Sequence, residues 1–119
     1  MYLSNTNESI ELVLKDPVTT NQIQWMSIYN NVTSNNTIIT PSFTDQGLSN
    51  NTTPVTIVFP PTGVTKREVI HLFIFNNDTV AQTVIIRKKV GANTYILYKN
   101  SVPINTTLEW SKNTGWQIN

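Results

Sequence analysis

Arg67-Glu68-Val69-Ile70-His71-Leu72-Phe73-Ile74-Phe75 is the most apolar run of the 119-residue chain, and its reading decides the fold. A strand with one wet face alternates apolar and polar residues. This run does not alternate cleanly, so it reads as a central strand with both faces covered. On its N-terminal side Val55–Phe59 (VTIVF) reads as a strand stopped by Pro60-Pro61, with a turn at Thr62-Gly63. On its C-terminal side Asn76-Asn77-Asp78-Thr79 reads as a turn, because Asn and Asp bond their own backbone and tolerate left-handed dihedrals. Gln82–Val90 and Thr94–Lys99, joined across Gly91-Ala92-Asn93, read as a hairpin. Thr106–Ser111 and Trp116–Ile118, around Lys112-Asn113-Thr114-Gly115, read as another.

Further out, Ser9–Lys15 puts Ile10, Leu12 and Leu14 on one face and Glu11 on the other. Gln22–Val32 puts Ile23 and Trp25 on one face and Gln22 and Gln24 on the other. Both have the two-residue period of a half-buried strand. Asp16-Pro17 separates them, since proline lacks the donor that a central strand needs. The Asn, Ser and Thr clusters at Asn30–Asn36 and Asp45–Thr53 read as one long excursion, with a short strand near Thr37–Thr40. No segment holds a helical period beyond two turns, and no repeat is visible. The expectation is an all-β antiparallel β-sandwich of about eight strands, of which a jelly-roll arrangement is one form. One domain spans 1–119, with residues 1–20 serving as an N-terminal docking arm or an edge strand.

Composition narrows the function. Eight basic and seven acidic residues leave a net charge of +1. That gives no long-range field to steer the chain onto nucleic acid. Sixteen Asn, eighteen Thr and eight Ser stand beside only 13% charged residues, about half the usual share. No apolar run approaches the roughly 20 residues of a membrane span. Without cysteine there is no disulfide, thiolate-zinc site or thiol nucleophile. The frequent Ile, Val and Thr and the 9% aromatic content separate the chain from a disordered one. The first eight residues lack a basic region followed by an apolar one, so no export signal is expected. The Asn-x-Ser/Thr sequences then read as a product of polar loops.

Candidate chemistry is sparse. His71 is the single histidine and has no second histidine with which to share a metal. Glu68 and Glu109 fall on strands and are candidates for cross-strand neighbours, but solvent-facing carboxylates on strands are ordinary. Asn76–Thr79 offers oxygens without the acidic density of a calcium loop. No enzyme activity, cofactor or metal is expected. The basic cluster Arg87-Lys88-Lys89 reads either as a contact to an acidic partner or as charge protecting an edge strand. On a strand, Arg87 and Lys89 share a face and Lys88 points away. Tyr2, Leu3, Trp25 and Tyr29 join these as interface candidates. Trp110 and Trp116, flanking the last turn, are the alternative: a sugar-stacking platform.

Several stretches together carry a family resemblance. They are Pro54-Val55-Thr56-Ile57-Val58, Arg67-Glu68-Val69 leading into Leu72 and Ile74, and Asn76-Asn77-Asp78-Thr79. They continue with Thr83-Val84-Ile85-Ile86-Arg87, Ile96-Leu97-Tyr98-Lys99, Thr107-Leu108-Glu109-Trp110 and Gly115-Trp116-Gln117. With Val18-Thr19-Thr20 near the start, the chain resembles small β-sandwich virion proteins of tailed bacteriophages. The resemblance is weakest over Ser34–Asn51, and the loops hold more Asn than such proteins usually carry. It implies a non-enzymatic β-sandwich that decorates or extends the virion, assembled in the host cytoplasm, and leaves capsid, neck and tail open; the first expectation is a capsid decoration or head-fibre component. Its partners would be other virion proteins of capsid or tail and further copies of the chain, with no nucleic acid and no membrane. A tail, neck or baseplate component and a carbohydrate-binding adhesion module are the alternatives.

Overall fold

The computed structural model describes residues 1–119 except Asn36 and Val64, and describes Thr40, Pro41 and Ser42 by their backbone alone. Among the described residues the chain forms ten strands: β1 (Tyr2–Leu3), β2 (Glu8–Leu14), β3 (Gln24–Val32), β4 (Ile38–Leu48), β5 (Val55–Val58), β6 (Lys66–Phe75), β7 (Gln82–Val90), β8 (Asn93–Val102), β9 (Thr107–Ser111) and β10 (Gly115–Ile118). They build two antiparallel sheets. The large sheet has the order β10-β9-β6-β3-β4, and β1 pairs with β6. The small sheet has the order β5-β2-β7-β8. The expected β-sandwich is therefore the observed fold.

The core lies between the sheets and follows the period of two. Ile10, Leu12 and Leu14 on β2 face Trp25 on β3 and Leu72 and Ile74 on β6, with Val84 and Ile86 on β7 and Leu108 on β9. Every one of these is buried. Ten strands exceed the expected eight because of β1 and β4. The excursion expected over Asp45–Thr53 is, as far as Leu48, part of the long edge strand β4. Its sequence, IITPSFTDQGL, hides the strand: it is a polar edge with a proline, which an edge tolerates. Asn36 of the neighbouring Asn cluster lies outside the described residues.

The two open sides of the sandwich are closed by side chains. At one side Ser27 Oγ of β3 donates to the Ile57 carbonyl of β5 at 2.6 Å. At the other side the Trp116 ring of β10 stacks on Tyr98 of β8 with centroids 4.7 Å apart. The segment 1–20 is built into both sheets: β1 pairs along β6, and β2 is an inner strand between β5 and β7.

The polar loops bind one another. Asn51, in a left-handed conformation, accepts from the Val18 N–H and from the Gln22 amide through Oδ1. Gln22 Oε1 in turn accepts from Ser49 Oγ and the Asn51 N–H. The Asn76–Thr79 turn is a second hub. Buried Asn76 donates through Nδ2 to the Val80 and Val102 carbonyls. Asp78 accepts from the backbone N–H groups of Thr19, Thr20 and Asn21 and from the Gln82 amide. Burial pushes the Asp78 carboxyl up, but these four donors outweigh it and hold it well below the usual carboxylate range. The Asn-rich composition thus supplies the hydrogen bonds that short apolar strands leave to their connections.

Candidate functional site

Each sheet has an outer face, and the two differ in chemistry. On the small sheet, cross-strand register places Val13 beside Ile85, Glu11 beside Arg87 and Ser9 beside Lys89. Glu11 is 6% exposed on the outside of a sheet. It is covered by the cations it binds: Arg87 Nε donates to it at 2.8 Å, and Lys89 Nζ stands 3.8 Å away. Lys88 points to the other side, where it pairs with Glu8 at 3.4 Å. Glu8 also accepts from the Ser4 and Asn5 N–H groups. Burial pushes its carboxyl up; these donors and Lys88 bring it below its ordinary value.

The large sheet has the opposite character. Register aligns Gln46, Met26, Phe73 and Glu109 in one row across β4, β3, β6 and β9. The next row is Leu48, Gln24, Phe75 and Thr107, and the row on the other side is Thr44, Ile28, His71 and Ser111. Along β6 the buried residues are Val69, Leu72 and Ile74, while His71, Phe73 and Phe75 between them remain half-buried. The run REVIHLFIF is central, as expected, but only one of its faces is covered by the chain's own layers. The expectation that both are covered is corrected here. The second apolar face looks outward, with Leu48 beside it 56% exposed. A groove of about 410 Å³ opens on it, lined by Gln24, Met26, Gln46, Leu48, Phe73 and Phe75 with the Trp25–Gly47 pair. All eight lining residues are uncharged. Two amides, Gln24 and Gln46, supply the polar groups at its rim. His71 stacks on Phe73 at 5.3 Å and extends the aromatic surface along β6.

Of the interface residues picked from sequence, three are interior. Leu3 is fully buried, Trp25 is 8% exposed and Tyr29 5%. Large aromatic rings fill the inter-sheet space best, and this displaces them from the surface. Trp25 packs so closely on Gly47 that an added Cβ would stand 2.9 Å from the indole. Tyr29 donates to Asp45 at 2.7 Å and lies beneath the Arg67 guanidinium at 4.8 Å. Burial, then the Asp45 bond, pushes its hydroxyl up to about 12. Tyr2 is at the surface, donating to Glu68 at 2.6 Å, with Lys66 over its ring. Arg87, Lys88 and Lys89 sit on the inner strand β7, so they protect no sheet edge, and their charges are met within the chain.

Trp110 and Trp116 do meet across the final hairpin, directly opposite each other with ring centroids 6.4 Å apart. They pack against the core, and Tyr98 occupies one face of Trp116. Glu68 and Glu109 are not neighbours: Glu68 lies opposite Tyr2 and Glu109 opposite Phe73. Glu68 is paired to Tyr2 and Lys112, and Glu109 accepts from the Asn119 amide. Asp78 already spends its oxygens on backbone donors, so the Asn76–Thr79 turn fastens loops together.

The outward residues Met26, Phe73, Phe75 and Leu48 escaped the reading of the sequence. One signal pointed to them: the apolar residues in both phases of REVIHLFIF call for a second cover, and among the described residues no other segment provides it. Comparison with protein-family models, with curated proteins and with solved structures found no match to this chain.

Proposed function

We propose that this chain is a non-enzymatic structural subunit of a bacteriophage particle, a capsid decoration or head-fibre component, that works by burying the outer face of its large sheet against neighbouring chains. The observation that carries the reading is the neutral, apolar face formed by Met26, Ile28, Leu48, Phe73 and Phe75 outside an otherwise complete core. Contiguous exposed apolar surface rimmed by polar groups marks interaction sites. The small sheet supports the same reading by contrast, since at its middle Glu11 is paired with Arg87 and Lys89 and presents charge rather than an apolar surface. The placement in a virion follows from the resemblance of the strand and turn motifs described above.

The test is to purify particles from the source of the chain, identify their proteins by mass spectrometry and image them by cryo-electron microscopy. The expected result is repeated density for a two-layer sandwich on the capsid, with the large sheet turned toward another protein. Density confined to neck, tail or baseplate would move the subunit to that location and overturn the capsid assignment. Absence of the chain from every particle would overturn the structural reading as a whole.

A further inference from the structure

We infer that the occupant of the large sheet's outer face is a second copy of the same chain, packed face to face about a two-fold axis parallel to the strands. The inference rests on the assembly reading for its purpose, but its geometry comes from the cross-strand register alone.

Area is the first argument. The molecule measures 44 × 29 × 19 Å along its principal axes, and the rectangle of its two longer extents, about 1,280 Å², is the outer bound on what a broad face can offer. A stable interface takes roughly 800 Å² from each partner. One sheet face can supply that, and another sheet face matches it in shape. A small molecule filling the 410 Å³ groove would leave Ile28 and His71, one row further along, uncovered. Sheets pack face to face at about 10 Å with their strands nearly aligned. Face-to-face docking therefore repeats outside the molecule the packing found inside it.

Charge is the second argument, and it selects the axis. The central row reads Gln46, Met26, Phe73, Glu109 from β4 to β9. A two-fold axis lying along that row would set Glu109 over its own copy, and like charges brought together at an interface are unfavourable. A two-fold axis parallel to the strands, between β3 and β6, reverses the row instead. Phe73 then lies over Met26 of the second copy, and Glu109 over Gln46, whose amide can donate to it. In the adjoining rows Phe75 meets Gln24 and His71 meets Ile28. The Met–Phe contact is a favourable thioether–aromatic pair made twice. No charged side chain falls at the centre, so no charge there must be stripped of water without a partner.

Sedimentation equilibrium of the full chain, with variants, tests this. The wild type is expected to form a dimer in the micromolar range. Met26→Lys and Phe73→Glu each place unpaired charges at the centre and should weaken association by roughly a hundredfold or more. Both positions are on the outer face, and unchanged far-ultraviolet circular dichroism would confirm that each variant folds. An equimolar mixture of the two variants brings the new ammonium over the new carboxylate and should form a heterodimer that neither forms alone. A wild-type chain that stays monomeric at several hundred micromolar overturns the inference. So does a dimer indifferent to both substitutions, or a mixture that stays monomeric while the wild type dimerises. A dimer without any phage particle containing the chain would leave this inference standing and remove the virion reading. A particle-bound monomer would do the reverse.

Discussion

The outer faces of the two sheets solve the same problem in opposite ways. The small sheet covers Glu11 with Arg87 and Lys89 from its own neighbouring strand, although Ile96 at its β8 edge stays exposed. The large sheet places Met26, Ile28, Phe73 and Phe75 outward, with no further layer over them among the described residues. A face satisfied by internal ion pairs has no reason to seek a partner. An apolar face gains from one at roughly 25 cal/mol per Å² covered. The difference shows that one all-β chain of modest charge can present a charge-paired face on one sheet and an apolar face on the other.

Strand β6 allows the sharpest attempt to break this contrast, because adjacent residues point to opposite faces. Leu72→Ala, on the inner face, should destabilise the monomer by about 2–5 kcal/mol. Phe73→Ala, one residue on, should cost under about 1 kcal/mol in the dilute chain. Urea melts of both variants read the difference; equal losses would mean that Phe73 is part of the core.

A smaller effect is expected at Gly47→Ala, where the new Cβ must displace the Trp25 indole beneath the large sheet. Overpacking of this kind costs about 1–3 kcal/mol. Trp25 fluorescence should shift with it, whereas an unchanged melt would show that the indole moves freely.

On the small sheet Glu11→Gln removes the charge shared by Arg87 and Lys89. Its cost should be about 1 kcal/mol, since both cations keep access to water. Association of the chain should not change. A change in the dimer constant would transfer the interaction surface to the wrong sheet.

Asp78 lies on neither face and serves as the control. Its folded-state carboxyl titrates well below the unfolded one, so its stabilisation is fully present above the ordinary aspartate value of about 4. That stabilisation is lost as pH falls through the folded value. Thermal melts of the wild type should therefore drop on acidification below that point, and Asp78→Asn should flatten the profile without altering association. A profile of unchanged steepness in Asp78→Asn would remove this residue as the source.

Much of the fold was legible in the residues. The alternation in Ser9–Lys15 and Gln22–Val32 gave the correct inward sets, Ile10, Leu12, Leu14, Ile23 and Trp25. The turns at Asn76–Thr79, Gly91–Ala92 and Lys112–Thr114 fell within the stretches read as turns, where Asn and Gly permit them. Strand β4 was legible only at its start, near Thr37–Thr40; beyond that, an edge strand needs neither a continuous apolar pattern nor a full ladder, so its Ser, Thr, Asp and Gln resemble a loop. The site was less legible. Aromatic residues suggested an interface, but aromatics are also the best core fillers, and Trp25 and Tyr29 went inside. Arg87–Lys89 looked free because their counter-charges, Glu8 and Glu11, lie more than seventy residues away in sequence and meet them only through the β2–β7 register. The surplus of apolar residues in REVIHLFIF was visible from the start; which face lacked a cover was set by topology.

The most direct test of the central claim is a concentration series of amide and methyl NMR spectra on the isotope-labelled full chain. If the large sheet's outer face is the docking surface, Met26, Ile28, Phe73 and Phe75 will shift or broaden as concentration rises. Val13, Ile85 and Arg87 on the small sheet will stay fixed. Shifts gathered on the small sheet, or none anywhere up to near-millimolar concentration, would contradict the account.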